Sequence, residues 1–398
     1  MAGNENVSRA FCPRGVRAPR RRSVTVSGVL AVLAAAAVVL SLPPIPAPVL
    51  LAPPPGPKLP DMMDDKTVKA IDMGLKYLVN TQRNNGAWFS TGGGYGGAYP
   101  SVMTSLAGLA LIAGGSTPES GPYAKNVKKA MEYILDVAEA QDDGMIAGPG
   151  SESRSMYGHG FSMLFLAQCY GTDINVRYEG RIRKALDKAI KLTEKAQSDT
   201  GPQYKNAGGW IYTPSGRGDE GSVTVTQLQA LRACRNAGLA VNKRTIERAV
   251  EYLRVCQNGD GGISYSFGSR GSSRPAISAA AIACFYAAGV YDRQAGGKET
   301  SKEAQMVAKL VDYVKKHAMP EHSDGGHWFY TQLYMAEAMY QRGGKDWADY
   351  YPRIKNKLIS QQVPDGSWNG DGVGTVYGTA LSTIILQLPY GYLPICQR

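Results

Sequence analysis

Residues 361–372 read QQVPDGSWNGDG, and residues 82–88 read QRNNGAW. Each puts a glutamine first, then polar turn residues, a glycine and a tryptophan. The same phrase recurs between them in reduced form: Gln141 with Gly144, Gly208-Gly209-Trp210, Gln257 with Gly261-Gly262 and Tyr265, and Asp324-Gly325-Gly326 with Trp328. With the two ends this makes six copies, at spacings of roughly 40–65 residues that mark a repeat fold. Charged, one-faced stretches precede the copies, such as AIDMGLKYLVNTQ and TIERAVEYLRVCQ. More apolar stretches follow them, such as SVMTSLAGLALIAGG and AISAAAIACFYAAGV.

Each unit therefore reads as an amphipathic helix, a glycine-rich turn and an apolar helix. Ile71, Gly74, Leu75 and Leu78 follow the i, i+3, i+4, i+7 spacing of a helix with one buried face. The second helix of each unit is apolar nearly all round and is expected inside. Gly114-Gly115, Gly171, Gly238 and Gly343-Gly344 suit left-handed helix ends. An open stack of repeats would need polar caps. The first and last units here resemble the rest, so we expect a closed, all-α ring of six helix pairs, exposed helices outside and apolar ones within.

The turn residues have a mechanical reading. Glutamine closes the outer helix, and its amide can bond backbone groups left open there. Glycine permits positive φ, and tryptophan supplies a large apolar face with an N–H to spend.

Gln-x-x-x-Gly-x-Trp closing an outer helix resembles the repeat of the squalene and oxidosqualene cyclases, whose superfamily includes the protein prenyltransferase β subunits. The resemblance spans about residues 64–398. Within it, Tyr157-Gly158-His159-Gly160-Phe161 and the ending Leu393–Arg398 resemble bacterial repeat proteins grouped with these enzymes. It implies an α/α toroid with a central cavity suited to a hydrophobic isoprenoid, and no cofactor. The family's Asp-x-Asp-Asp acid motif and the prenyltransferases' Asp-x-Cys zinc ligands are both absent. The nearest acids by position are Asp219-Glu220, just before the third apolar helix. They are the expected catalytic pair, although a carboxylate there also caps a helix.

His159 stands between two glycines at the start of an apolar helix and is expected at the cavity rim as an acid, base or ligand. Aromatic residues on the apolar helices form the expected ligand wall: Tyr157, Phe161, Phe165, Phe285, Trp328, Tyr330, Tyr334 and Tyr377. Such walls stabilise carbocations through cation–π contact, and they also bind apolar ligands or sugars. Asp219, Glu220, Asp371 and Glu152 near the helix entrances keep a two-carboxylate glycosidase open. The ligand types in HSDGGH (His322, Asp324, His327) fall in a repeat turn and are read as turn residues, so no metal is expected.

The 398-residue chain carries a net charge of +11. Residues 1–58 hold seven cations against Glu5, a net +6, which leaves +5 for the rest. No basic stripe interleaved with aromatics is present, which argues against nucleic acid. Residues 1–22 are a basic, cytoplasmic segment. Residues 23–42 are twenty uncharged, mainly apolar residues, long enough to anchor in a membrane or to serve as a cleaved signal. Residues 43–60 are a proline-rich spacer, and residues 61–398 form the toroid. The expected body is exported and held at the membrane, with a hydrophobic small molecule or a cell-envelope component as its partner. A non-catalytic binding or scaffold module in the envelope is the competing expectation. Cys169, Cys234 and Cys284 sit in apolar helices as small hydrophobes; Cys256 and Cys396 are left open as paired or free.

Overall fold

A computed structural model describes residues 59–398 except 94–96, 149, 173–174, 199–207, 292–301, 324 and 398. The basic segment, the apolar segment at 23–42 and most of the proline-rich spacer lie outside the described residues, as do Cys12 and Asp324. Among the described residues no helix is long and apolar enough to cross a membrane, and extended pairing is confined to isolated bridges.

Among the described residues twelve helices run in order: α1 (Asp65–Thr81), α2 (Pro100–Ala113), α3 (Ala124–Glu139), α4 (Ser155–Tyr170), α5 (Val176–Ala196), α6 (Gly221–Asn236), α7 (Lys243–Val255), α8 (Pro275–Ala287), α9 (Lys302–His317), α10 (Trp328–Arg342), α11 (Gly344–Gln361) and α12 (Thr375–Gln387). Odd-numbered helices are outer and bury one face. On α1 that face includes Ile71, Gly74, Leu75 and Leu78, the residues marked by the helical spacing, and Asp64 caps its first turn by accepting from the Thr67 N–H at 2.8 Å. Even-numbered helices are inner; every residue of α2 is buried. Each inner helix packs on the next, and α12 returns to pack on α2, which closes the ring.

The repeat glutamines do what their position requires. The Gln82 amide donates to the carbonyl of Gly86 in its own turn at 2.9 Å and to that of Asn126 on the next outer helix at 3.0 Å. Gln257 does the same with Gly261 and Met306. In the third unit the closing glutamine is Gln197, which donates to Gly208 and to Thr245. It lies eleven positions before its glycine, against four in the first, fourth and sixth units, and that insertion hid it from the spacing. Trp88, Trp210 and Trp368 are fully buried, and each indole N–H donates at 2.8 Å to a carbonyl of the preceding outer helix. Trp328 differs: it opens α10 and donates to the Pro320 carbonyl.

The chain ends in two short 3-10 turns, Leu388–Tyr390 and Pro394–Cys396. The second packs on α6 and α10 at the C-terminal end of the inner ring, where the Gln341 amide donates to the Ile395 carbonyl. Leu393, Ile395 and Cys396 are buried there. Cys256 and Cys396, left open by the sequence, are both free thiols.

Candidate functional site

The inner helices all begin at the same end of the ring. Their N-cap residues are Tyr99, Arg154, Glu220, Arg274, His327 and Gly374. The first five line a cavity of about 690 Å³, a size that suits a small-molecule ligand. Its deeper wall is apolar and aromatic, with Met103, Leu106, Phe161, Ile277, Leu333 and Leu381. Tyr157, Tyr212, Tyr265, Tyr330 and Tyr377 bring rings and hydroxyls to the same space.

Glu220 is the buried carboxylate of this wall, with 1% of its surface exposed. It caps α6. Oε2 accepts from the Val223 N–H at 2.8 Å, Oε1 from the Ser222 N–H at 3.2 Å, and the Ser222 hydroxyl reaches both oxygens. The Tyr157 hydroxyl donates to Oε2 at 3.4 Å and shares a 2.5 Å hydrogen bond with the Ser222 hydroxyl. Each oxygen thus accepts one backbone N–H at the start of α6. Burial raises the pKa of the Tyr157 and Tyr265 hydroxyls, and the Glu220 charge adds to the rise. Tyr330 is raised too, by burial, then Tyr334 and Glu220; its hydroxyl donates to the Ser222 carbonyl at 3.4 Å.

Of the eleven residues singled out in the sequence, Glu220, Tyr157, Phe161, Tyr330 and Tyr377 meet at the cavity. The rest are placed elsewhere. Asp219, next to Glu220, points into the turn packing: its Oδ1 accepts from the Tyr252 hydroxyl at 2.8 Å and the Phe267 N–H at 2.7 Å. Phe165 is fully buried against Gly108 of α2, and Phe285 is fully buried on α8. Trp328 stacks edge-on against Phe329. Tyr334 lies behind Tyr330, ring to ring at 4.8 Å.

His159 is not a rim residue. It is fully buried, its Nδ1 accepts the Ile146 N–H at 3.1 Å, and its Nε2 meets the Thr193 hydroxyl on outer helix α5 at 2.9 Å. At the matching place in other units a hydroxyl takes the turn N–H: Thr104 from Trp88, Thr224 from Trp210, Ser278 from Ile263 and Thr379 from Trp368. His159 fills that structural slot, and burial lowers its pKa to about 4.

Two further acids flank the site. Asp371 lines the cavity and accepts from the Phe329 N–H at 2.6 Å. Glu152 lies off the cavity, where it accepts from the Ser101 N–H at the start of α2, and burial raises its pKa to about 7. His327 lines the cavity as the N-cap of α10. Among the described residues no three His, Cys, Asp or Glu side chains gather as a metal site.

The sequence reading missed Arg154, Tyr212, Ser222, Tyr265 and Arg274, all of which line the cavity. A signal for the arginines existed. Arg154, Glu220 and Arg274 hold the same N-cap place in three consecutive units, so aligning the units at their helix starts picks them out.

No family model matches the sequence, and no curated protein matches it. Solved structures do match. A type II terpene cyclase from Scytonema, MstE, in complex with its substrate geranylgeranyl dihydroxybenzoate, aligns with TM-score 0.51 at 14% identity, over 82% of this chain and 98% of that one. The GH76A α-1,6-mannanase from Salegentibacter sp. HEL1_6 aligns with TM-score 0.58 at 9% identity, over 82% and 100%. A D-mannose isomerase aligns with TM-score 0.53 at 10% identity, over 82% and 96%. The chain is thus an α/α toroid, the fold these neighbours share.

Proposed function

We propose that this toroid takes a hydrophobic, isoprenoid-type ligand into its cavity for terpene-cyclase-like chemistry, with Glu220 as the carboxylate that stabilises or deprotonates a cationic carbon and Asp371, the other carboxyl of the cavity wall, as the candidate source of the starting proton. The observation that carries the reading is Glu220 itself, a buried carboxylate in an aromatic wall whose hydrogen bonds go to Ser222, Val223 and Tyr157 rather than to a cationic side chain. A carboxylate held this way suits a counter-ion or base facing a cationic carbon, and the surrounding tyrosine rings add cation–π stabilisation. It does not suit the initiating acid that the Asp-x-Asp-Asp motif supplies elsewhere. The terpene cyclase neighbour, solved with a geranylgeranyl substrate, supports the same ligand class.

The test is incubation of the full chain in detergent with squalene and with geranylgeraniol, followed by gas chromatography–mass spectrometry. Cyclic products that vanish in Glu220→Gln support the reading. Retained but unconverted ligand identifies a binding module instead. A second reading rests on Asp371, which shares the cavity with Glu220, and on the mannanase and isomerase neighbours. Release of mannose from an α-1,6-linked manno-oligosaccharide in a parallel incubation decides for it. We also propose that residues 23–42 hold the body outside the cytoplasmic membrane. Digestion of the body by protease added to intact cells stripped of their outer layers checks this.

A further inference from the structure

Two features of the cavity mouth run against what helix formation alone selects. Arg154 and Arg274 occupy the N-caps of α4 and α8, and neither side chain caps its helix. A cation at the positive end of a helix dipole is unfavourable, and arginine is not an N-cap former. The sequence breaks this rule twice, in two units on either side of Glu220. Among the described residues each guanidinium lies over a ring rather than against a carboxylate: Arg154 over Tyr212, 4.5 Å from its centroid, and Arg274 over Tyr265 at 6.0 Å. The two tyrosine hydroxyls are hydrogen-bonded to each other, so the four side chains form one ladder across the mouth. Arg154, Tyr212, Tyr265 and Arg274 all line the cavity.

The carboxylates nearby are already engaged. Glu220 turns onto the Ser222 and Val223 N–H groups, and Asp371 accepts from the Phe329 N–H. The guanidiniums thus keep their donors for something that enters from outside, above a wall that is apolar. Positions that violate a local folding rule are where function is expected.

We propose that the cavity ligand is an amphiphile with an acidic head, a phosphate or a carboxylate. Arg154 and Arg274 hold the head at the mouth, and the apolar tail fills the cavity below. Arginine suits this role because its planar fork of N–H groups matches both oxyacids. The proposal rests on the reading of the cavity as an isoprenoid-type site and adds the chemistry of the ligand's polar end.

The test compares three ligands with one tail: geranylgeranyl monophosphate, geranylgeranoic acid and geranylgeraniol. Binding to the full chain in detergent is measured by titration calorimetry at low and high salt. We expect the two acids to bind roughly ten- to hundredfold tighter than the alcohol, the advantage shrinking as salt screens the exposed guanidiniums. The phosphate and carboxylate arms tell which head is preferred. Arg154→Gln and Arg274→Gln should each lose most of that advantage while the alcohol binds as before and the melting temperature holds. Equal affinity for acids and alcohol overturns the proposal and leaves the isoprenoid site intact. Equal loss of all three ligands in the arginine variants overturns it as well, since the arginines then serve only the fold. Failure of all three to bind the parent chain overturns the isoprenoid reading, and this proposal with it.

Discussion

The side-chain amide of Gln362 donates to the carbonyl of Ala70 at 2.9 Å, across 292 residues of sequence, and so ties the last turn to the first outer helix. It repeats what Gln82 does with Asn126 one unit further on. The last turn of an open stack has no next helix to bond, so this contact makes the sixth repeat equivalent to the others. Gln362→Ala should therefore cost about as much as Gln82→Ala, about 2 kcal/mol, because each strands partly buried carbonyls. Urea titration of both variants checks it. Both should unfold in one transition; a separate early transition in Gln362→Ala would show a frayed end and sink the closed-ring account.

The seam is close-packed as well as hydrogen-bonded. A Cβ at Gly74 of α1 would lie 2.5 Å from the Thr383 methyl and 2.9 Å from the Trp368 ring, both across the seam. Gly74→Ala should then destabilise by about 1–3 kcal/mol through overpacking, although alanine is the better helix former. A neutral or stabilising result in thermal melts would mean that the seam is loose.

His159 accepts the N–H that hydroxyls accept in other turns. Removing it in His159→Ala leaves the Ile146 N–H and the Thr193 hydroxyl to find new partners and opens a void, at a cost of about 2–4 kcal/mol. His159→Thr, which restores the hydroxyl of the other units, should recover part of that loss. Ligand binding by the variants that remain folded should match the parent. A variant that folds normally but no longer binds or converts ligand would return His159 to the site.

The ring was legible because its cause is periodic. The spacing of Ile71, Gly74, Leu75 and Leu78, and the glutamine–glycine–tryptophan turns, each state one interaction that the fold repeats. The cavity was legible in part: Glu220 before an apolar helix stood out chemically, and of the eight aromatics expected there Tyr157, Phe161, Tyr330 and Tyr377 reach it. Which way an aromatic ring on an all-buried helix points is not written in its apolarity. Phe161 reaches the cavity and Phe165, one turn on, packs against Gly108. His159 misled for the opposite reason: a rare residue in a conspicuous motif was doing the ordinary work of a threonine. Arg154 and Arg274 stand out only once the helix ends they occupy are known.

Leu333 of α10 faces the cavity and is half-buried. Leu333→Trp would place an indole in the lumen, where it has room, so the fold should hold within about 1 kcal/mol. Its ring takes the space of the ligand tail, and affinity for geranylgeraniol should fall at least about tenfold. Calorimetric titration alongside a thermal melt separates the two effects. Undiminished affinity in a folded variant would place the tail somewhere other than this cavity.

Glu337, on the axis side of α10, is held by the Gln229 amide at 2.9 Å, and burial raises its pKa to about 7. Its proton is therefore kept in the folded chain over a pH range where the unfolded chain has released it. Between about pH 4.5 and 7 the native state binds more protons, so stability falls as pH rises, by about 3 kcal/mol for a shift of this size. Glu152, also raised to about 7, adds a second fall over the same window. His159 acts in the other direction. Its folded pKa of about 4 lies below the ordinary histidine value, so its contribution is lost as pH falls from about 6.5 toward 4. Two falls against one rise leave the parent chain less stable at pH 8 than at pH 5. Glu337→Gln keeps a neutral side chain at the axis at every pH and should remove one fall, so that its gain over the parent is larger at pH 8 than at pH 5. Urea midpoints at the two pH values measure this directly. A pH-independent difference would mean that Glu337 is not the group whose ionisation the buried axis opposes.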